Sequence, residues 1–155
     1  MKVAVIMGST SDLEVMSASF AVLDQFGVPY EKKVISAHRA PELLASWAGS
    51  ARERGIDVII AGAGGAAHLA GVTAAYTTLP VIGVPINGKA FGGMDALLAT
   101  VQMPSGIPVA TVAVNGAKNA ALLALSILSV RDASVAEKLA DFRRKQTEAI
   151  VNTEI

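Results

Sequence analysis

The amino-acid sequence predicts a three-layer αβα sandwich built on a flavodoxin-like, parallel five-stranded sheet, with an extra C-terminal helix. Two observations carry this prediction. Apolar runs of strand length recur at Val3 to Met7, Val58 to Ala61, Val81 to Val84 and Val109 to Val114, and segments with helical periodicity and helix-end signals separate them. Such alternation makes βαβ units, and so a parallel sheet covered on both faces.

The elements follow in order. After the first strand, Ser11 and Glu14 have the spacing of a capping box, and Gly27 ends the helix they start. The second strand, Tyr30 to Ile35, is the only one to carry charge, at Glu31, Lys32 and Lys33, which suits a sheet edge with a partly wet face. Pro41 and Gly55 bracket the second helix. The third, fourth and fifth strands are followed by helices at Leu69 to Ala75, Gly93 to Gln102 and Ala117 to Ser129, and Ser134 with Glu137 starts a last one that runs to Val151. The simplest packing has strand order 2-1-3-4-5, which directs ligands to the carboxyl ends of the first three strands.

Composition sets the outer bounds. The 155 residues are 52% hydrophobic and 17% charged, enough for one well-buried domain over 1–155 and too few for two. Lys+Arg and Asp+Glu both number 13, so nucleic acid is not an expected partner. There is no cysteine, and the N-terminus opens directly into a strand without the pattern of a secretory leader, so a cytoplasmic protein is expected. No apolar stretch approaches the ~20 residues of a membrane span.

The unusual residues fall in three loops at the predicted ligand end. Gly8-Ser9-Thr10-Ser11-Asp12 offers hydroxyls and backbone N–H groups at a helix N-terminus, either as a phosphate site or as helix capping. Arg39 favours the first reading, since a guanidinium beside such a loop pairs with phosphate through its planar fork of donors. His38, in Ser36-Ala37-His38-Arg39, is a candidate proton carrier, because imidazole exchanges protons near neutral pH. His68 closes the third loop, Gly62 to His68, as a second ligand-facing group or merely a helix cap. The glycines of that loop match GxGxxA, yet no acidic residue follows until Asp95, where a dinucleotide site requires one about 20 residues on. A floor of bare backbone amides for a small planar ligand or carboxylate is the better reading. Gly83 to Ala90 misses the nucleoside triphosphatase loop by having Ala90 where Ser or Thr binds magnesium. Two histidines with no carboxylate cluster make no metal site, and no nucleophile motif is present. What remains is proton-transfer chemistry on a small phosphorylated molecule.

The segments MGSTSD, SAHRAPE, AGAGGAAHLAGV, LPVIGVP and VQMPSGIPVATVAVNGAKNAALLA, in this order and over nearly the whole chain, resemble the class I PurE family of N5-carboxyaminoimidazole ribonucleotide mutases. Ala70, Val72 and Ser105 depart from the family's commoner residues. The resemblance implies movement of a carboxylate from N5 to C4 of the aminoimidazole ribonucleotide, a step of purine (IMP) biosynthesis, without cofactor, metal or ATP. It implies that His38 is the catalytic residue, protonating N5 as CO2 leaves and removing the C4 proton after recapture. It also implies that Ser9, Ser11 and Arg39 hold the phosphate, Asp12 the ribose hydroxyls, and Ser36, Ala37, Gly64, Gly65, His68 and Leu69 the ring and the CO2 pocket.

The nearest alternative is a carboxylase of the same superfamily that adds CO2 directly to aminoimidazole ribonucleotide; the GAGGAAHL and QMPSGIPVATVAVN segments resemble the mutase class instead. A flavodoxin-like FMN carrier is disfavoured because 5% aromatic residues, with only Phe91 in a strand-end loop, leave little to stack on a flavin. A purely partner-binding domain leaves His38, Arg39 and the glycine loop unexplained. A homo-oligomer is expected because Ala120 to Leu128 is apolar around most of its helix, and the resemblance implies an octamer. The last helix, 134–151, is expected to dock its Val135, Leu139 and Phe142 stripe on a neighbouring subunit.

Overall fold

Residues 1–154 are described by a computed structural model of the chain. The strands are β1 (Val3–Met7), β2 (Tyr30–Val34), β3 (Val58–Gly64), β4 (Val81–Ile86) and β5 (Ala110–Thr111), and the helices are α1 (Leu13–Phe26), α2 (Pro41–Gly49), α3 (Leu69–Ala75), α4 (Met94–Val101), α5 (Ala117–Ser129) and α6 (Ala133–Val151). All strand pairs are parallel, in the order β2-β1-β3-β4-β5. The predicted fold class is the observed one.

Alternation along β1 shows why the sheet is buried on both faces. Val3, Val5 and Met7 point into one core with α1, α5 and α6, while Ala4 and Ile6 point into the other with α2 and α3. Strand β2 is an edge with its Lys32 and Lys33 exposed, as its charge predicted.

Several boundaries differ from expectation. The capping box at the start of the first helix is Ser9 with Asp12, not Ser11 with Glu14, because a 3₁₀ turn over Thr10–Asp12 precedes α1. The last helix is capped by Asp132, which accepts from the Val135 N–H, not by Ser134 with Glu137. Gly55 does not end α2: that helix stops at Gly49 and an irregular turn fills the gap. Strand β3 continues to Gly64, since Gly62 has no Cβ to collide with Met16 Sδ, and a Cβ on Gly64 would lie 3.1 Å from the Ile86 carbonyl oxygen. The fifth strand keeps only Ala110 and Thr111 of the expected Val109 to Val114, because it pairs solely with Ile82 and Gly83 and its contact with that segment ends where the Val112 N–H donates to the Gly83 carbonyl at 3.1 Å.

Helix α5 lies between the sheet, α1 and α6, which bury its Ala120, Ala121, Ala124, Leu125 and Leu128, while Leu122 and Ile127 stay half-buried and Leu123 is exposed. The α6 stripe also packs within the chain. Val135 and Leu139 belong to the α1/α5 core, Phe142 packs on Phe26 at a ring-centroid distance of 5.8 Å, and Lys138 Nζ donates to the Phe26 carbonyl at 2.8 Å. Burying Val135 and Leu139 contributes about 1.5–3 kcal/mol apiece to holding α6 on its own subunit. No described helix is long and apolar enough to cross a membrane.

Candidate active site

The strand order sets the carboxyl ends of β2, β1, β3 and β4 side by side, and the four loops that leave them enclose a cavity of about 740 Å³. Ser9, Ser11, Asp12, Ser36, Ala37, His38, Arg39, Gly64, Gly65 and Leu69 all line it. Residues from three separate loops, singled out in the sequence, thus share one chamber.

In the first loop Ser9 Oγ accepts from the Ser11 N–H at 3.3 Å and from the Ser11 hydroxyl at 3.0 Å, and the Ser9 N–H donates to Asp12 Oδ2 at 2.9 Å. The loop therefore caps its own turn while facing the cavity. Asp12 is only 8% exposed. Burial pushes its carboxyl above the ordinary aspartate value, against the opposing pull of the Ser9 and Gly8 N–H groups and of Arg39.

Arg39 ties the loops after β1 and β2 together. Its Nε donates to Ser36 Oγ at 3.1 Å and its Nη2 to the Gly8 carbonyl at 3.0 Å, while its backbone N–H also reaches Ser36 Oγ at 3.2 Å. These bonds hold the guanidinium beside the serine loop. Pro41 at the first turn of α2 anchors the other end of the segment.

His38 Nε2 lies 2.8 Å from His68 Nδ1, with the rings at 88° to one another. His68 occupies the N-cap position of α3 but its side chain makes no capping bond, so its imidazole serves His38 instead of the helix end. It does not itself line the cavity. One of the two facing nitrogens must donate and the other accept, so a single N–H proton occupies the bond between the two rings. His38 Nδ1 has no partner among the described residues.

Gly62 and Gly64 lie inside β3, and only Gly65, at φ +60°, forms the turn proper. The stretch is thus a strand end laid open as a floor, which also disposes of the dinucleotide reading. The fourth loop is a wall that sequence patterns do not reveal: Ile86, Asn87, Gly88 and Lys89 line the cavity, although in the sequence they register only as a failed triphosphate loop. A lysine after a buried strand of the same βα series was the available signal. No group of three metal-binding side chains occurs among the described residues. Of the three departures from the family pattern, Ala70 is buried, Val72 half-buried and Ser105 exposed, and none lines the cavity.

Comparison with known proteins gives a consistent picture. The family model for AIR carboxylase matches residues 2–149. The N5-carboxyaminoimidazole ribonucleotide mutase of Pyrococcus abyssi is 64% identical over 142 residues, covering 92% of this chain and 82% of that protein. The mutase of the same name from Bacillus subtilis is 60% identical over 151 residues, covering 96% and 93%. The crystal structure of Treponema denticola PurE superposes with a TM-score of 0.87 at 29% identity, covering 97% of this chain and 94% of that one. A match over nearly the whole length, relatives of this identity and a shared fold lead to one conclusion: the chain belongs to the AIR carboxylase family, as a PurE protein.

Proposed function

We propose that the chain is an isomerase that converts N5-carboxyaminoimidazole ribonucleotide to 4-carboxyaminoimidazole ribonucleotide in purine biosynthesis, with His38 carrying the proton. The observation that supports this most is the His38–His68 contact of 2.8 Å at the edge of a glycine-floored cavity whose neighbouring loops carry Ser9, Ser11 and Arg39. The phosphate takes the serine loop and Arg39, the ribose hydroxyls meet Asp12, and the ring lies over Gly64 and Gly65 with Ser36, Ala37 and Leu69 around it, His68 standing behind His38.

The chemistry closes on itself. As the bond from N5 to the carboxyl carbon breaks, its electron pair stays on N5, which takes a proton from His38, and CO2 is released. The enamine carbon C4 attacks that CO2, forming the new carbon–carbon bond. His38, now a base, removes the C4 proton and restores both the aromatic ring and its own starting state. No proton, electron or carboxylate is gained or lost, so the reaction requires no redox partner, metal or ATP. His68 is a positioning residue: by engaging Nε2 it leaves Nδ1 of His38 to face the substrate.

Purified protein incubated with N5-carboxyaminoimidazole ribonucleotide, without added bicarbonate or ATP, should form the C4-carboxylated product. Formation only from aminoimidazole ribonucleotide plus bicarbonate would show the direct carboxylase instead. A cytoplasmic homo-oligomer, an octamer as in the family, is part of the proposal. The core-facing sides of α5 and α6 are covered inside the chain, which leaves the exposed Leu123 of α5 and the exposed Phe91, Met94, Leu98 and Val101 on and before α4 as apolar area for a second copy. Sedimentation as a monomer at micromolar concentration would remove that part.

A further inference from the structure

The fourth loop of the cavity has no part in the reaction as derived above. It follows β4, on the opposite side of β3 from β1 and β2, whose loops carry Ser9, Ser11 and Arg39. The ends of β1 and β4 are two strand spacings apart, about 10 Å. A ribonucleotide with its phosphate at β1 and its ring over the β3 floor therefore presents the far edge of that ring towards β4.

The start of this loop is pinned and its middle is open. The Asn87 N–H donates to Asn115 Oδ1 at 2.9 Å, and the Asn115 N–H donates to the Pro85 carbonyl at 2.8 Å. A Cβ on Gly93 would lie 3.3 Å from Asn87 Cα, so that glycine, at φ +84°, lets the chain fold back on Asn87. By contrast, nothing stands within 4 Å of where a Gly88 Cβ would be. Lys89 comes next, exposed and without an ion pair among the described residues.

Charge then separates the roles of the cavity's cations. Arg39 has Nε and Nη2 committed to Ser36 and Gly8, which fixes it at the phosphate end. Asp12 is the one carboxylate on the wall, and it is engaged by the Ser9 N–H. The substrate brings two anionic groups, a phosphate and a carboxylate, and the carboxylate is left without a cation.

We propose that Lys89 binds the migrating carboxylate of the ribonucleotide, in the carbamate before transfer and in the C4 carboxylate after it. This rests on the mutase reading. A lysine suits the task because its ammonium is a point charge with three donors on a flexible stem, able to follow a group that moves from one ring position to the next. A fixed bidentate fork would favour one position over the other.

The test compares two ligands that share the phosphate and differ in the carboxylate. For Lys89→Gln, the Kd of 4-carboxyaminoimidazole ribonucleotide by calorimetry should rise about tenfold or more, the usual weight of a charge-assisted hydrogen bond, and that of aminoimidazole ribonucleotide should stay within about twofold. Lys89→Arg should recover most of the loss. Equal weakening of both ligands would place Lys89 on the phosphate, and no change in either would make it a bystander; each result overturns the proposal. An exposed lysine leaves the fold intact, which an unchanged Tm verifies. Failure of the mutase reading itself shows separately, as unmodified protein that neither binds nor converts these ribonucleotides.

Discussion

Replacing His38 with Asn removes the only group assigned to both proton transfers while keeping a polar side chain of similar size. General acid–base catalysis contributes about 10²- to 10⁴-fold per positioned group. Because one imidazole serves both the protonation of N5 and the deprotonation of C4, kcat should fall to the far end of that range or beyond. Binding should survive, since the Arg39 bonds to Ser36 and Gly8 and the Ser9–Asp12 capping box do not involve His38. The 2.8 Å contact with His68 adds a second expectation: His68→Asn loses less than His38→Asn, and the double variant loses little more than His38→Asn alone, as for residues that act as a unit. The assay is steady-state conversion of the N5-carbamate for kcat and KM, with calorimetric binding of aminoimidazole ribonucleotide as the control. A His38→Asn enzyme that keeps more than about a tenth of wild-type kcat falls short of even the low end of the general acid–base loss and would refute the assignment.

Arg39→Ala should raise KM far more than it lowers kcat, because phosphate binding is shared by ground and transition states; kinetics showing only a kcat effect would move Arg39 off the phosphate. Gly83→Ala drives a Cβ into Thr100 Cγ2 and to 3.0 Å from Val109 Cγ1, an overpacking cost of about 1–3 kcal/mol, or a fall in Tm of roughly 2–12 °C at about 2–4 °C per kcal/mol. Adding Thr100→Ser, which trims that methyl and keeps the hydroxyl bonded to the Ala96 carbonyl at 2.7 Å, should recover part of the loss in a thermal melt. Burial alone would raise the Glu31 carboxyl, but the Lys2 ammonium and the Arg54 guanidinium outweigh it and hold the group below the ordinary glutamate value. Its stabilising contribution is therefore complete above the unfolded value and lost as pH falls through the lowered folded one. Glu31→Gln should flatten that acid limb of the stability curve, and an unchanged limb would contradict the ion pair.

Strand order was legible because β1, β3 and β4 are continuous apolar runs while β2 alone carries Glu31, Lys32 and Lys33, so burial and edge position are written in the same residues. Strand ends were not. Gly62 to Gly64 looks like a loop in one dimension, and only the presence of Met16 and Ile86 beside it makes it a strand that requires small residues. The fifth strand is short because its partner supplies just Ile82 and Gly83, a fact no local pattern encodes. Ser9 and Ser11 are both plausible caps by spacing, and a 3₁₀ turn over Thr10–Asp12 decides between them. The apolar stripe of α6 is legible in the sequence, yet periodicity says nothing about whose surface it covers, and within the chain Val135 and Leu139 pack into the α1/α5 core and Phe142 against Phe26. In the site, His38 and Arg39 stood out by residue type and place in the βα series. The pairing of His38 with His68 across 30 positions and the lining role of Lys89 are tertiary facts.

The central claim is an intramolecular transfer, and isotope tracing tests it most directly. N5-carboxyaminoimidazole ribonucleotide carrying ¹³C in its carbamate, turned over in excess unlabelled bicarbonate, should give a C4 carboxylate that retains most of the label. Product carrying the unlabelled carbon of the medium would mean that the carboxylate is drawn from solution, and would contradict the mutase mechanism.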